Sequence, residues 1–172
     1  WNTLDTTGLN LGTAGAIGSL EWFPTYGSGS LIVVHGQNPS IFRWNGSAWS
    51  EIGTPAMGEY HNFGVYSSVR DLMYFGGGEG SNVVYTLSNT GAITAKAGCP
   101  ANLGVTDSVT TVDPLNGDLV AITADQVTRT FDPDANAWSV DTAAPVGFFQ
   151  NGLYAESDIF GNVAVPVPEY GV

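Results

Sequence analysis

His35 and His61 are the only histidines of the chain, and the apolar runs beside them place both at one end of neighbouring strand units. His35 closes the run Leu31-Ile32-Val33-Val34, with Gln37 just beyond it, while Glu59, Tyr60, His61 and Asn62 lead into Phe63-Gly64-Val65-Tyr66. A histidine or tyrosine at a loop mouth can serve as a general base. A nearby arginine can neutralise a substrate acid and stabilise the enolate left when a proton beside a carboxylate is removed. On that reading His61 and Tyr60 are the catalytic candidates and Arg43 or Arg70 the cation, although Arg70 falls in a turn at the opposite end of the unit. On the non-catalytic reading His61 caps a strand and His35 fills a gap where another unit has glycine. His35, Gln37, Glu59 and Asn62 are then ligand-binding candidates, with Asp107 and Asp125 at the same end of the third unit.

Metal chemistry has two footholds. His35 and His61 with Glu59 or Tyr60 offer imidazole and carboxylate donors that suit zinc or copper. Asp132-Pro133-Asp134-Ala135-Asn136 spaces oxygen donors as a calcium loop does, but Ala137 and Ala143 stand where that loop needs a glycine and its last acid. A solvated hairpin turn accounts better for Asp132, Asp134 and Asn136, so no metal and no cofactor is expected. Asn45-Gly46-Ser47 matches a glycosylation acceptor and is equally a tight turn. Aromatic residues could stack on sugars. Trp49 and Trp138 recur at one position and read as core between units; Trp22 could face a channel or a neighbour. Phe148, Phe149 and Tyr154, with Glu156 and Asp158, make the link between the third and fourth units a candidate ligand surface.

The elements that must hold these residues repeat about every 45 residues, a period of propellers and solenoids. Each unit opens with an apolar hairpin: Leu20 to Phe23 with Leu31 to Val34, Phe63 to Tyr66 with Leu72 to Phe75, and Val109 to Val112 with Leu119 to Ile122. A third strand follows (Ile41 to Trp44, Val83 to Leu87, Val127 to Phe131), and then a fourth beginning at Ala48-Trp49, Ala92-Ile93 or Ala137-Trp138. Asn45-Gly46, Asn89-Thr90-Gly91 and Asn116-Gly117 lie between strands, where positive φ is needed. No stretch keeps a helical period. Units are expected over about 14–54, 60–99 and 105–144, an inserted loop over 146–161 and a partial unit from 162; Trp1 to Leu4 fits the last strand of a preceding unit.

Met73-Tyr74-Phe75-Gly76-Gly77-Gly78 followed by Val84-Tyr85 resembles a kelch repeat, an apolar strand ending in glycines and then an aromatic position. Trp44 with Trp49, and Phe131-Asp132-Pro133 with Trp138, give the matching aromatic-to-tryptophan ending in the other units. The resemblance is to the broad kelch-like β-propeller class, which includes the galactose-oxidase-type central domains. It implies an all-β fold of four-stranded antiparallel blades: the last strand of one blade, three full blades and the first strand of the next, within a single propeller domain. His35-Gly36 and Thr123-Ala124 depart from the paired glycines, and Ile93 replaces a tryptophan. Relatives of this class with His, Tyr and Arg at the mouth include polysaccharide lyases, and others bind copper through a tyrosine crosslinked to cysteine. Cys99 has no such partner in the sequence. Because a blade buries its faces only against neighbours, the arc is expected to be an excerpt of a longer chain, or to close with further blades from another chain.

Sixteen Asp and Glu against four Lys and Arg give a net charge of -12, which repels phosphate backbones and makes nucleic acid a poor partner. The 43% hydrophobic content is ample for a packed core, one cysteine makes no internal disulfide, and no apolar run approaches the roughly 20 residues of a membrane span. Few lysines among many Thr, Ser, Asn and Gly suit a protein exposed outside the cell or on a cell or virion surface. The leading expectation is a non-catalytic recognition or scaffold domain that binds a glycan or a protein. The alternatives are part of a carbohydrate-active enzyme such as a polysaccharide lyase, and a structural assembly subunit.

Overall fold

β-Branched and aromatic runs punctuated by Gly, Asn and Asp form strands, and in the computed structural model they make an all-β protein built of three four-stranded antiparallel sheets. Residues 5–10, 18–35, 40–59, 61–104, 108–143, 155–157 and 162–164 are described. The first sheet holds β1 (Ser19–Phe23), β2 (Ser30–His35), β3 (Ser40–Trp44) and β4 (Trp49–Gly53) in chain order. The second holds β5 (Asn62–Ser67), β6 (Leu72–Gly77), β7 (Val84–Ser88) and β8 (Ile93–Lys96), and the third β9 (Ser108–Val112), β10 (Leu119–Thr123), β11 (Val127–Asp132) and β12 (Ala137–Ala143). A short hairpin pairs β13 (Ala155–Ser157) with β14 (Asn162–Ala164), so the link expected as an inserted loop contributes one strand.

The sheets stack face to face with the second in the middle. Its Met73, Phe75 and Leu87 meet Phe23, Ile32, Val34 and Ile41 of the first sheet. Its Phe63, Val65, Tyr74 and Val84 meet Val112, Leu119, Ala121 and Phe131 of the third. Successive residues of β6 thus point alternately to the two neighbours, as the pleat requires. Each fully buried Phe, Leu or Met contributes about 1.5–3 kcal/mol, so these two seams supply most of the apolar burial. The first strands also touch, with β5 lying against both β1 and β9. Gly64 makes that approach possible, since a Cβ there would collide with Ser19 Oγ.

The pairing corrects the expected alignment of the hairpins by one residue in the second unit. Leu31 pairs with Trp44, Met73 with Leu87 and Leu119 with Phe131, so Met73, not Leu72, is the equivalent of Leu31 and Leu119. By the same pairing Trp22, Tyr66 and Val112 occupy one repeat position. With that register every unit sends the same positions to the preceding sheet (Met73 and Phe75, Leu119 and Ala121) and the same positions to the following one (Ile32 and Val34, Tyr74).

Turn glycines carry the positive φ expected of them: Gly46 +99°, Gly91 +88° and Gly117 +79°. The Gly76-Gly77-Gly78 run also has positive φ throughout, and a Cβ on any of the three would strike the backbone of Val83, Leu103 or Gly58. Gly78 N–H donates to Leu103 O at 2.9 Å and Gly58 N–H to Gly77 O at 2.9 Å. The glycines are therefore where the links into β5 and β9 cross the end of β6.

Tryptophans tie two of the three fourth strands to the chain segment before them. Trp138 Nε1–H donates to Ala97 O, just after β8, at 2.9 Å. Trp49 Nε1–H donates to Asp5 O at 2.9 Å, so Asp5 stands to the first sheet as Ala97 stands to the third. The expected strand at Trp1 to Leu4 lies outside the described residues.

Candidate functional site

His35 ends β2, where its equivalents are Gly77 and Thr123. Its ring is 2% exposed, neither nitrogen has a hydrogen-bond partner among the described residues, and burial lowers its pKa. His61 sits just before β5 with φ +61°, a left-handed conformation uncommon outside glycine and asparagine. Asn62 is fully buried. Its amide donates to Gly58 O at 3.0 Å and Gly77 O at 3.1 Å, so this side chain fastens the entry loop to the glycine run. Glu59 is exposed. Tyr60, Gln37, Asp107, Phe148, Phe149 and Tyr154 lie outside the described residues.

The candidate cations are engaged elsewhere. Arg43 stacks its guanidinium 3.9 Å above the Tyr26 ring and donates from Nε to Ser30 Oγ at 2.8 Å. Arg70, in the turn between β5 and β6, contacts Asp118 at 2.6 Å, Asp134 at 2.7 Å and Asp132 at 3.8 Å. The hydrogen bond to Asp134 and then the Asp118 charge raise the Arg70 pKa against the opposing effect of burial. Burial raises the Asp118 carboxyl, and the Arg70 guanidinium pulls it back. Arg70 also lies at the other end of β5 from His61, a separation of roughly 20 Å for a strand of this length. In the third sheet Arg129 Nη2 meets Asp125 Oδ2 at 2.5 Å and its Nη1 donates to Thr123 Oγ1; the hydrogen bond from Arg129 holds Asp125 well below the usual carboxylate range.

The calcium-like string is a turn. Asp132 Oδ1 accepts from the N–H of Asp134 at 2.8 Å and Ala135 at 3.2 Å, while Asn136, φ +51°, accepts from Ala97 N–H at 2.9 Å. Asp134 goes to Arg70. Among the described residues no group of three or more His, Cys, Asp and Glu is disposed to hold a metal ion. Cys99 is buried in the core between the second and third sheets, which raises its pKa.

A groove lies at the opposite end of the first strands from both histidines. It encloses about 310 Å³ and takes its lining from all three units: Glu21 in β1 and Pro24 after it, Tyr66 in β5 and Ser68 after it, Asp113 and Pro114 after β9. Trp22, Tyr66 and Val112 line it from one repeat position, and Pro24, Ser68 and Pro114 from another. Its floor is held rigid by the turn that carries Arg70 and Asp71. Asp71 accepts from Tyr66 OH at 2.9 Å, from Asn89 Nδ2 at 2.7 Å and from Thr25 of the first sheet. The neighbouring Arg70 reaches the third sheet, and Tyr74 OH and Ser67 Oγ both donate to Gly117 O, at 2.9 and 3.1 Å. Sequence reasoning looked at the histidine end and missed this groove, whose lining comes from three separate strand ends and the turns that follow them. The repeat register was the available signal. The sequence matches no protein-family model, and no curated protein matches it.

Proposed function

We propose that the three sheets are consecutive blades of a kelch-like β-propeller serving as a non-catalytic recognition scaffold, exposed outside the cell or on a cell or virion surface, whose partner is a glycan or another protein. What supports the propeller reading is the consistent facing of repeat positions between sheets, the adjacency of β1, β5 and β9, and the recurrent tryptophan bond to the preceding unit. Recognition is carried by one observation: equivalent strand ends from three units converge on one groove whose turns are pinned in place. Loops held on a rigid scaffold are where binding residues concentrate. The arrangement argues against proton abstraction from a uronate, because Arg43 and Arg70 are committed to Tyr26 and to three aspartates.

The test is to titrate the chain with panels of neutral and uronate-containing oligosaccharides and of peptides, following tryptophan fluorescence for binding and ultraviolet absorbance for unsaturated products. Saturable binding without product is expected. Product from any uronate polymer, or no saturable binding across the panels, would overturn the reading. An assembly role gains support from Leu20 and Trp22, which are 60% and 53% exposed on the first sheet.

A further inference from the structure

We infer that a groove between β4 and β8 receives a tryptophan side chain from a protein partner, at the seam where the chain does not supply its own. The repeat register locates the site. Trp49 pairs with Trp44, Ile93 with Leu87 and Trp138 with Phe131, so Ile93 holds the position that is tryptophan in the other two units. Each of those two indoles packs on the ring it pairs with, at 5.6 and 5.2 Å between centroids. Each also donates from Nε1–H to a carbonyl of the segment before it, Asp5 O and Ala97 O. Gly53 pairs with Ile41 as Lys96 pairs with Val84, which makes Thr54 the counterpart of Ala97. Isoleucine has no N–H to give the Thr54 carbonyl.

A groove of about 460 Å³ lies at that place. Ile52, Gly53, Thr54 and Pro55 line it from the end of β4 and the link after it, facing Ile93 and Ala95 of β8. Gly53 keeps its floor low, since an added Cβ there would lie 2.5 Å from Ile93 Cδ1. No charged side chain lines the groove, and Tyr85 at its wall already gives its hydroxyl to Ala56 O at 2.9 Å. A sugar would therefore find few partners for its hydroxyls. An apolar ring with a single N–H matches this lining, and the two seams filled by Trp49 and Trp138 are its template. The site is separate from the groove at the ends of the first strands and stands independently of it.

The probe is a fluorescein-labelled pentapeptide with tryptophan at its centre, flanked by threonines and terminal glycines and followed by anisotropy. Saturable binding is expected. Replacing its tryptophan by alanine should weaken binding at least about tenfold. Methylating the indole nitrogen should weaken it about fivefold, as for one neutral hydrogen bond. In the protein, Ile93→Trp fills the groove from within and is expected to abolish binding. Ala95→Lys, at an exposed lining position, blocks it from the rim and should weaken binding about tenfold or more, whether or not Ile93→Trp folds. Thr94→Lys, exposed on the opposite face of β8, adds the same charge and should leave affinity within about twofold. No saturable binding, equal binding of the alanine peptide, a folded Ile93→Trp that binds as before, or equal effects of Ala95→Lys and Thr94→Lys would each overturn the assignment. So would a neutral oligosaccharide that displaces the peptide. An oligosaccharide bound equally by the wild-type chain and Ala95→Lys, beside a failed tryptophan-peptide titration, would sink this assignment and leave the recognition reading standing.

Discussion

Gly117 shows how much one residue can carry in this protein. It has φ +79°, and a Cβ there would lie 2.6 Å from Ser67 Oγ and 2.7 Å from Arg70 Cγ, while its carbonyl accepts from Tyr74 and Ser67. Gly117→Ala is expected to cost about 2–4 kcal/mol, combining left-handed strain with displacement of the seam. Gly46, φ +99° with nothing within 4 Å, isolates the backbone component, and Gly46→Ala should cost only about 1 kcal/mol in the same urea melts. Equal losses would mean that the Gly117 turn does not seal the second and third sheets. His35 makes a different prediction. Burial lowers its folded-state pKa below the ordinary 6.5, so the unfolded chain takes up the proton first as pH falls. Its contribution to stability is complete above about pH 6.5 and drains away below it. Urea midpoints followed from about pH 8 to about pH 5 should fall, and His35→Gln should flatten part of that slope. An unchanged slope would show that His35 titrates as it does in the unfolded chain.

At the scale of elements, the β5–β6 turn fastens the stack through two adjacent residues of opposite charge. Asp71 binds Thr25 of the first sheet and Arg70 binds Asp118, Asp132 and Asp134 of the third. Arg70→Leu strands the nearly buried Asp118 carboxylate and is expected to cost about 3 kcal/mol, whereas Arg70→Leu with Asp118→Leu should recover at least half of it. A double variant no more stable than the single would show that the lost energy is packing of the arginine stem. The strands themselves were legible from alternation and from Asn-Gly turns, yet the register of the second hairpin was not. Leu72, Met73, Tyr74 and Phe75 are all apolar because both faces of that sheet are covered, and a continuous apolar run cannot say which residue faces which neighbour. Met73 opposite Leu87 settled it. The candidate site was less legible still. Asn62 and Asp132 look like ligands in sequence, but the Asn62 amide nitrogen and Asp132 Oδ1 are spent on backbone groups, a demand that appears only once the loops are placed.

Across the whole molecule, the repeat positions predict which faces a neighbour should cover. In the second and third sheets the positions equivalent to Trp22 and Leu31 are Tyr66 with Met73 and Val112 with Leu119, and Met73, Val112 and Leu119 are buried against the preceding sheet. In the first sheet the same face leaves Leu20 and Trp22 more than half exposed, although Asp5 already binds Trp49 as a preceding unit would. An apolar face built to the pattern of a seam, and without a cover among the described residues, should bind an apolar dye and promote concentration-dependent association. Leu20→Lys with Trp22→Lys is therefore expected to abolish dye binding and leave the free energy of unfolding in urea within about 0.5 kcal/mol, the usual limit for surface changes. Met73→Lys, at the buried equivalent of Leu31, should unfold the chain outright. If the double lysine variant instead destabilises as Met73→Lys does, Leu20 and Trp22 are already covered in solution, and the first sheet is not an open end of the stack.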